Sequence, residues 1–159
     1  MFQKLKNKMK DQRGLTLIEL LAVIVILAII SAIAIPSILG LIENSRKDAH
    51  VANAQQMVNS AKLAYAGDKD IQEAVDDDKE THTVLLADLQ DGGYLETLKD
   101  ADGGKPYTAG GVVITNTAGE ISYSVYLVGS KWQVGESASK TISESGLKRK
   151  EVSKVSGSN

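Results

Sequence analysis

Gln12-Arg13-Gly14-Leu15-Thr16-Leu17-Ile18-Glu19-Leu20-Leu21 decides how this chain is read, because a basic leader meets a long apolar segment that holds one carboxylate near its start. Residues 20–41 are apolar except for Ser31, Pro36, Ser37 and Gly40. That is long enough for a helix to cross about 30 Å of hydrocarbon. Glu19 at the head of such a span costs several kcal/mol, on the order of a buried unpaired charge, unless something neutralises it. Before it, Lys4, Lys6, Lys8, Lys10 and Arg13 against Asp11 make the leader basic, which places it on the cytoplasmic side of a membrane.

A cut after Gly14 would supply the neutralising group. Leu15 would then carry a new α-amino group one helical turn from Glu19, able to pair with its own or a neighbouring subunit's carboxylate. An ordinary secretory signal has a shorter apolar region followed by a small-x-small cleavage site, which does not fit a run of this length headed by Glu19. An uncleaved single-pass anchor fits the leader but leaves Gly14 and Glu19 unexplained.

The run Gly14, Leu15, Thr16, Leu17, Ile18 and Glu19, with Pro36 further along the helix, resembles the class III signal of the type IV prepilins. The resemblance covers about the first 40 residues. It departs from the family at Leu15, where the first mature residue is usually Phe. The resemblance implies cleavage between Gly14 and Leu15 and N-methylation of Leu15, both by a prepilin peptidase/N-methyltransferase. It also implies assembly roles for Glu19 and Pro36, with an assembly ATPase and a platform protein as partners. The protein would be a homo-oligomeric filament subunit, held single-pass in the cytoplasmic membrane before assembly and exposed as an extracellular pilus afterwards. The alternatives are a competence or secretion pseudopilin of a short fibre, or an uncleaved anchor presenting a small binding domain.

The rest of the chain is the size of one modest domain. The whole carries a net charge of −2, but the leader holds five basic residues and one acidic, so the remainder has 13 basic against 19 acidic, or −6. That balance gives no general basic face for nucleic acid. There is no cysteine, so the domain holds together without disulfides. This departs from the disulfide-closed C-terminal loop common in Gram-negative pilins and points to a Gram-positive-like subunit.

The expected fold class is α+β: a long N-terminal helix acting as the spine of a small head with an antiparallel β-sheet. Its segments are a leader at 1–14, a membrane or filament-core helix at 15–42, an amphipathic spine at 43–67, a connecting loop and sheet at 68–135, and a polar tail at 136–159. Val51, Ala54, Met57, Val58, Ala61 and Tyr65 recur at helical spacing, and Gly67 suits a helix end. Pro36 and Gly40 predict a kink or local melting in one turn. The acidic stretch 68–80 is expected to be a solvated connecting loop, since Asp76, Asp77 and Asp78 lack the spacing of a calcium loop.

Residues 83–93 are expected to form a short amphipathic helix, with Leu85, Leu86 and Leu89 on one face. It leads into a Gly-Tyr-Leu run that resembles the segment before the sheet in Gram-positive pilins. Three antiparallel strands follow at 112–115, 121–128 and 131–134, joined by turns at 116–119 and 129–130. The tail is expected to add no core element and to end in a mobile stretch. Its basic cluster Lys148, Arg149, Lys150 and Lys154 is read as solvated rather than as a surface for nucleic acid.

Asp100-Ala101-Asp102-Gly103-Gly104-Lys105-Pro106-Tyr107 is similar, at an offset, to the calcium-binding loop of major pseudopilins. Oxygen ligands from Asp100 and Asp102 would supply that chemistry. Turn formation accounts for the same residues with no metal and no cofactor, and is preferred. His50 and His82 have no cysteine or patterned acidic partner for zinc, and no nucleophile elbow or phosphate loop occurs. The chain is therefore read as a non-enzyme.

Overall fold

The computed structural model describes residues 16–76 and 81–157. The leader, Gly14, Leu15, Asp77 and Asp78 lie outside the described residues. By contacts the chain divides into two units, residues 1–42 and 43–159. The first unit is helical from Leu17 onward. Helix α1, Leu17–Gly67, begins in this unit and continues into the second without interruption at Pro36. The local melting anticipated at Pro36 and Gly40 is absent, because a proline removes one donor while the turns on either side keep their own bonds.

In the second unit α1 forms the spine. Ala54, Met57, Val58, Ala61 and Ala64 are fully buried, and Val51 and Tyr65 pack beside them. Small residues on this stripe let the sheet come close: Val112, Ile114, Val125, Leu127 and Val134 join them in one core, each fully excluded from solvent. The result is the α+β arrangement of a long helix followed by an antiparallel sheet, as in pilins.

The stretch after α1 is ordered where a loop was expected. Asp68 accepts a hydrogen bond from the backbone N–H of Asp70 at 2.9 Å and starts a short helix, α2, Lys69–Val75. Val75 anchors α2 because it is fully buried in the head core. Strand β1 then runs Thr81–Leu85, and only Leu86–Asp91 is helical, as α3. The single helix expected over 83–93 is therefore corrected. Leu85 does not share a face with its neighbours: it is exposed at the end of β1, while Leu86 and Leu89 are buried in α3. The run Thr81-His82-Thr83-Val84, β-branched at three of its four residues, pairs with β2, Ala109–Thr117, and this partner across the sheet overrides local helical spacing.

β2 and β3, Glu120–Val128, form the hairpin read from the sequence, with Thr117 opposite Glu120. Both intervening residues, Ala118 and Gly119, have positive φ (54° and 84°), which matches the twist of a two-residue hairpin. Asn116 braces the turn. Its Oδ1 accepts the Gly119 N–H at 2.9 Å, and its Nδ2 donates to the Val75 carbonyl at 3.0 Å.

Among the described residues the sheet has six strands rather than three. Its order is β1-β2-β3-β4-β6, with β4 at Trp132–Val134, β6 at Val152–Lys154, and β5 at Ile142–Ser143 pairing with β3. The tail thus contributes two strands and a buried Val152, which corrects its reading as a polar appendage. Its apolar residues are too sparse to signal a strand alone. They suffice once β3 and β4 offer open edges.

Two ion pairs fasten the tail to α1. Lys62 meets Glu144 at 2.5 Å, with Gln55 donating to the same carboxylate, and Arg149 forms a forked pair with Asp48. The Lys62 and Gln55 donors hold the Glu144 carboxyl below its usual range, against a smaller opposing effect of burial. Arg149 does the same for Asp48. A depressed carboxyl contributes stability that is complete above its unfolded value and is lost as pH falls through the folded one. Amide exchange in β6, corrected for intrinsic rate, is therefore expected to accelerate as pH drops from roughly 6 to about 3. Glu144→Gln should flatten that dependence, and an unchanged profile in the variant would contradict the assignment.

Candidate functional site

Two places in the chain concentrate chemistry. The first is the start of α1. Thr16 Oγ1 accepts the Glu19 backbone N–H at 3.2 Å, while the Glu19 carboxylate accepts from the Thr16 backbone N–H at 3.3 Å and from its hydroxyl at 3.4 Å. This reciprocal arrangement is a capping box. Glu19 has partners within its own chain that the sequence reading did not assign, and the Thr-x-x-Glu spacing was the available signal. The pairing lowers the cost of holding the carboxylate at the head of an apolar span, but it leaves the charge itself uncompensated.

The helix that follows is apolar on every side, and its side chains lie open: Leu17 is 88% exposed, Ile33 73% and Leu41 69%. The helix is long and apolar enough to cross a membrane. So continuous an apolar surface requires lipid or other protein to cover it. Pro36 and Gly40 lie within this stretch, and a side chain at Gly40 would meet nothing.

The second place is in the head, where α1 brings His50 against the 99–107 turn. The turn is tied across its base, with Asp100 N–H donating to the Lys105 carbonyl at 2.7 Å and Gly104 N–H to the Asp100 carbonyl at 2.8 Å. His50 is fully buried. Its Nε2 lies 3.1 Å from Asp102 Oδ2 and 3.6 Å from Asp100 Oδ1, and its Nδ1 lies 3.0 Å from the Tyr107 hydroxyl. Asn53 donates to the Tyr107 oxygen at 2.7 Å.

Both carboxylates are fixed from behind. Asp100 Oδ2 accepts the backbone N–H and the hydroxyl of Ser130, each at 2.6 Å, and Asp102 Oδ2 accepts the Trp132 N–H at 3.1 Å. Burial would raise the Asp100 carboxyl, but the Ser130 hydroxyl, the Asp102 and Ser130 amides and the neighbouring His50 together hold it below its ordinary value. Burial pushes Tyr107 up to about 12, with the two aspartates adding to the rise and Asn53 opposing it, so the phenol stays protonated. The β3–β4 turn must pass close over this cluster. A Cβ at Gly129 would stand 2.8 Å from Asp100 Oδ1 and 3.0 Å from His50 Cε1, which is why a glycine is needed there.

Asp100 and Asp102, named from the sequence, are thus brought together, and His50 joins them. The sequence reading gave His50 no acidic partner, and that is corrected here: the partners lie about 50 residues away, beyond any local spacing. One signal was present, since His50 falls in phase with Ala54, Met57 and Ala61 on the buried stripe, where a polar side chain must find polar company.

Residues 9–35 match the family model described as the prokaryotic N-terminal methylation motif. The matched span contains Gly14, Leu15 and Glu19. No curated protein and no solved structure gives a significant match.

Proposed function

We propose that this chain, which carries an N-terminal signal of the type IV prepilin class, is a structural subunit of a type IV pilus. The observation that carries the reading is an apolar helix over residues 17–42, exposed on all sides, whose first part lies within the methylation motif matched at residues 9–35. In the membrane, lipid covers that surface. In a filament, identical helices do. A prepilin peptidase cuts between Gly14 and Leu15 and methylates the new amine. An assembly ATPase and a platform protein then draw the mature chain into an extracellular fibre with helices inside and sheet heads outside.

Glu19 supplies the docking chemistry in this account. Its capping partner Thr16 carries no charge, whereas the Leu15 amine of a neighbouring subunit offers a full positive charge in a low-dielectric bundle. The carboxylate has more to gain from the neighbour than from its own helix. Pro36 and Gly40 would let α1 stretch within the fibre, because the turn there already lacks one hydrogen bond.

Gly14→Val tests the processing step, since a branched side chain at the cut site replaces one with no Cβ. The variant is expected to accumulate in the membrane fraction with its leader attached and to vanish from the material sheared off cells. Normal cleavage and normal surface yield would contradict the reading.

A further inference from the structure

We propose that His50, Asp100 and Asp102 bind a divalent transition cation of the zinc class inside the head. One imidazole nitrogen and one oxygen from each carboxylate lie within 4.8 Å of one another. The three side chains are 0%, 1% and 3% exposed, so this is a buried group and not a surface acidic cluster.

Charge balance supports an ion. The site buries two carboxylates, and the guanidinium of Arg46, its side chain 42% exposed, stands 3.9 Å from Asp102 Oδ1. That same Oδ1 is buried and accepts no hydrogen bond. A buried carboxylate oxygen without a donor is costly, and a cation held at the neighbouring Oδ2 would offset the unbalanced charge of the same carboxylate.

The spacing fits as well. Separations of 3.1 and 3.6 Å from Nε2 to the two carboxylates subtend about 95° and about 118° at an ion about 2.1 Å from each atom. Both angles suit a tetrahedral or mildly expanded centre. Each ligand is also oriented from outside: Ser130 holds Asp100, the Trp132 amide holds Asp102, and Tyr107 faces His50 Nδ1. Outer contacts of this kind fix metal ligands in place. Water would complete the coordination. An imidazole ligand selects a zinc-class ion over calcium, which takes oxygen donors.

The ion competes with a proton for one position. Without a metal, Tyr107 donates to Nδ1, and the Nε2–H donates to Asp102. With a metal, the imidazole takes its other tautomer, its one proton moving from Nε2 to Nδ1, so that Nε2 meets the ion and the Nδ1–H donates to the Tyr107 oxygen with no net loss of a proton. This site does not depend on the filament reading, because it lies wholly within the head.

The test uses the full-length chain in detergent micelles, without a histidine tag and stripped with a chelator, titrated in parallel with zinc chloride and calcium chloride. Zinc is expected to bind one per chain and calcium not to bind. His50→Gln and Asp102→Asn should lose the zinc, His82→Gln should keep it, and Tyr107→Phe should weaken it by about 10- to 100-fold. Zinc-edge X-ray absorption on the unaltered protein should show one imidazole among oxygen ligands, and it decides the matter should His50→Gln fail to fold. Absence of stoichiometric zinc binding, a shell without imidazole, zinc retained by a folded His50→Gln, or calcium binding in zinc's place would each overturn the proposal.

Discussion

Glu19→Ala is expected to leave the precursor membrane-inserted and cleavable, yet to cut its entry into filaments more than about 100-fold. The magnitude follows from what the substitution strands. A Leu15 ammonium packed in an apolar bundle without its carboxylate costs about 3–5 kcal/mol per contact, as does any buried pair that loses one member. At about 1.4 kcal/mol per factor of ten, each docking step becomes strongly unfavourable. The effect on the isolated subunit should be small, because loss of the Thr16–Glu19 cap is offset by removal of a charge from the apolar phase. Comparing sheared and membrane fractions in cells carrying the variant reads both effects. Normal filament yield would remove Glu19 from the docking role.

Leu127→Ala should damage the head without touching the apolar first part of α1. Leu127 is fully buried in β3, within the core that joins the sheet to α1. Truncating such a side chain removes its transfer energy and leaves a cavity, at a cost of about 2–5 kcal/mol. Set against a usual total of about 5–15 kcal/mol, that is a large fraction of the head's stability. Denaturant unfolding followed by the Trp132 fluorescence of the head would measure it. A loss below about 1 kcal/mol would mean that the sheet and the spine do not share one core.

The sequence made the local features legible. The 14–19 motif is contiguous, the α1 stripe repeats at helical spacing, and the β2–β3 hairpin is a pair of alternating strands around a tight turn. What escaped depends on partners distant in the chain. The helix expected over 83–93 rested on the helical spacing of Leu85, Leu86 and Leu89, and pairing with β2 converts its first three residues to strand. β5 and β6 are two and three residues long, and each exists because β3 or β4 has a free edge. The His50 cluster joins α1 to a turn about 50 residues on, so neither half signals the other.

Glu19 escaped in a different way. The cost of burying its charge was legible, but the same residue also caps its own helix through Thr16, a second role that the cost alone did not signal.

The central claim is that this chain is a precursor cut before it reaches the surface. The most direct measurement is the intact mass of the surface-exposed form sheared from cells. The account expects a chain that begins at Leu15, having lost Met1 to Gly14, with or without one added methyl group. A major surface species that still begins at Met1 would contradict it.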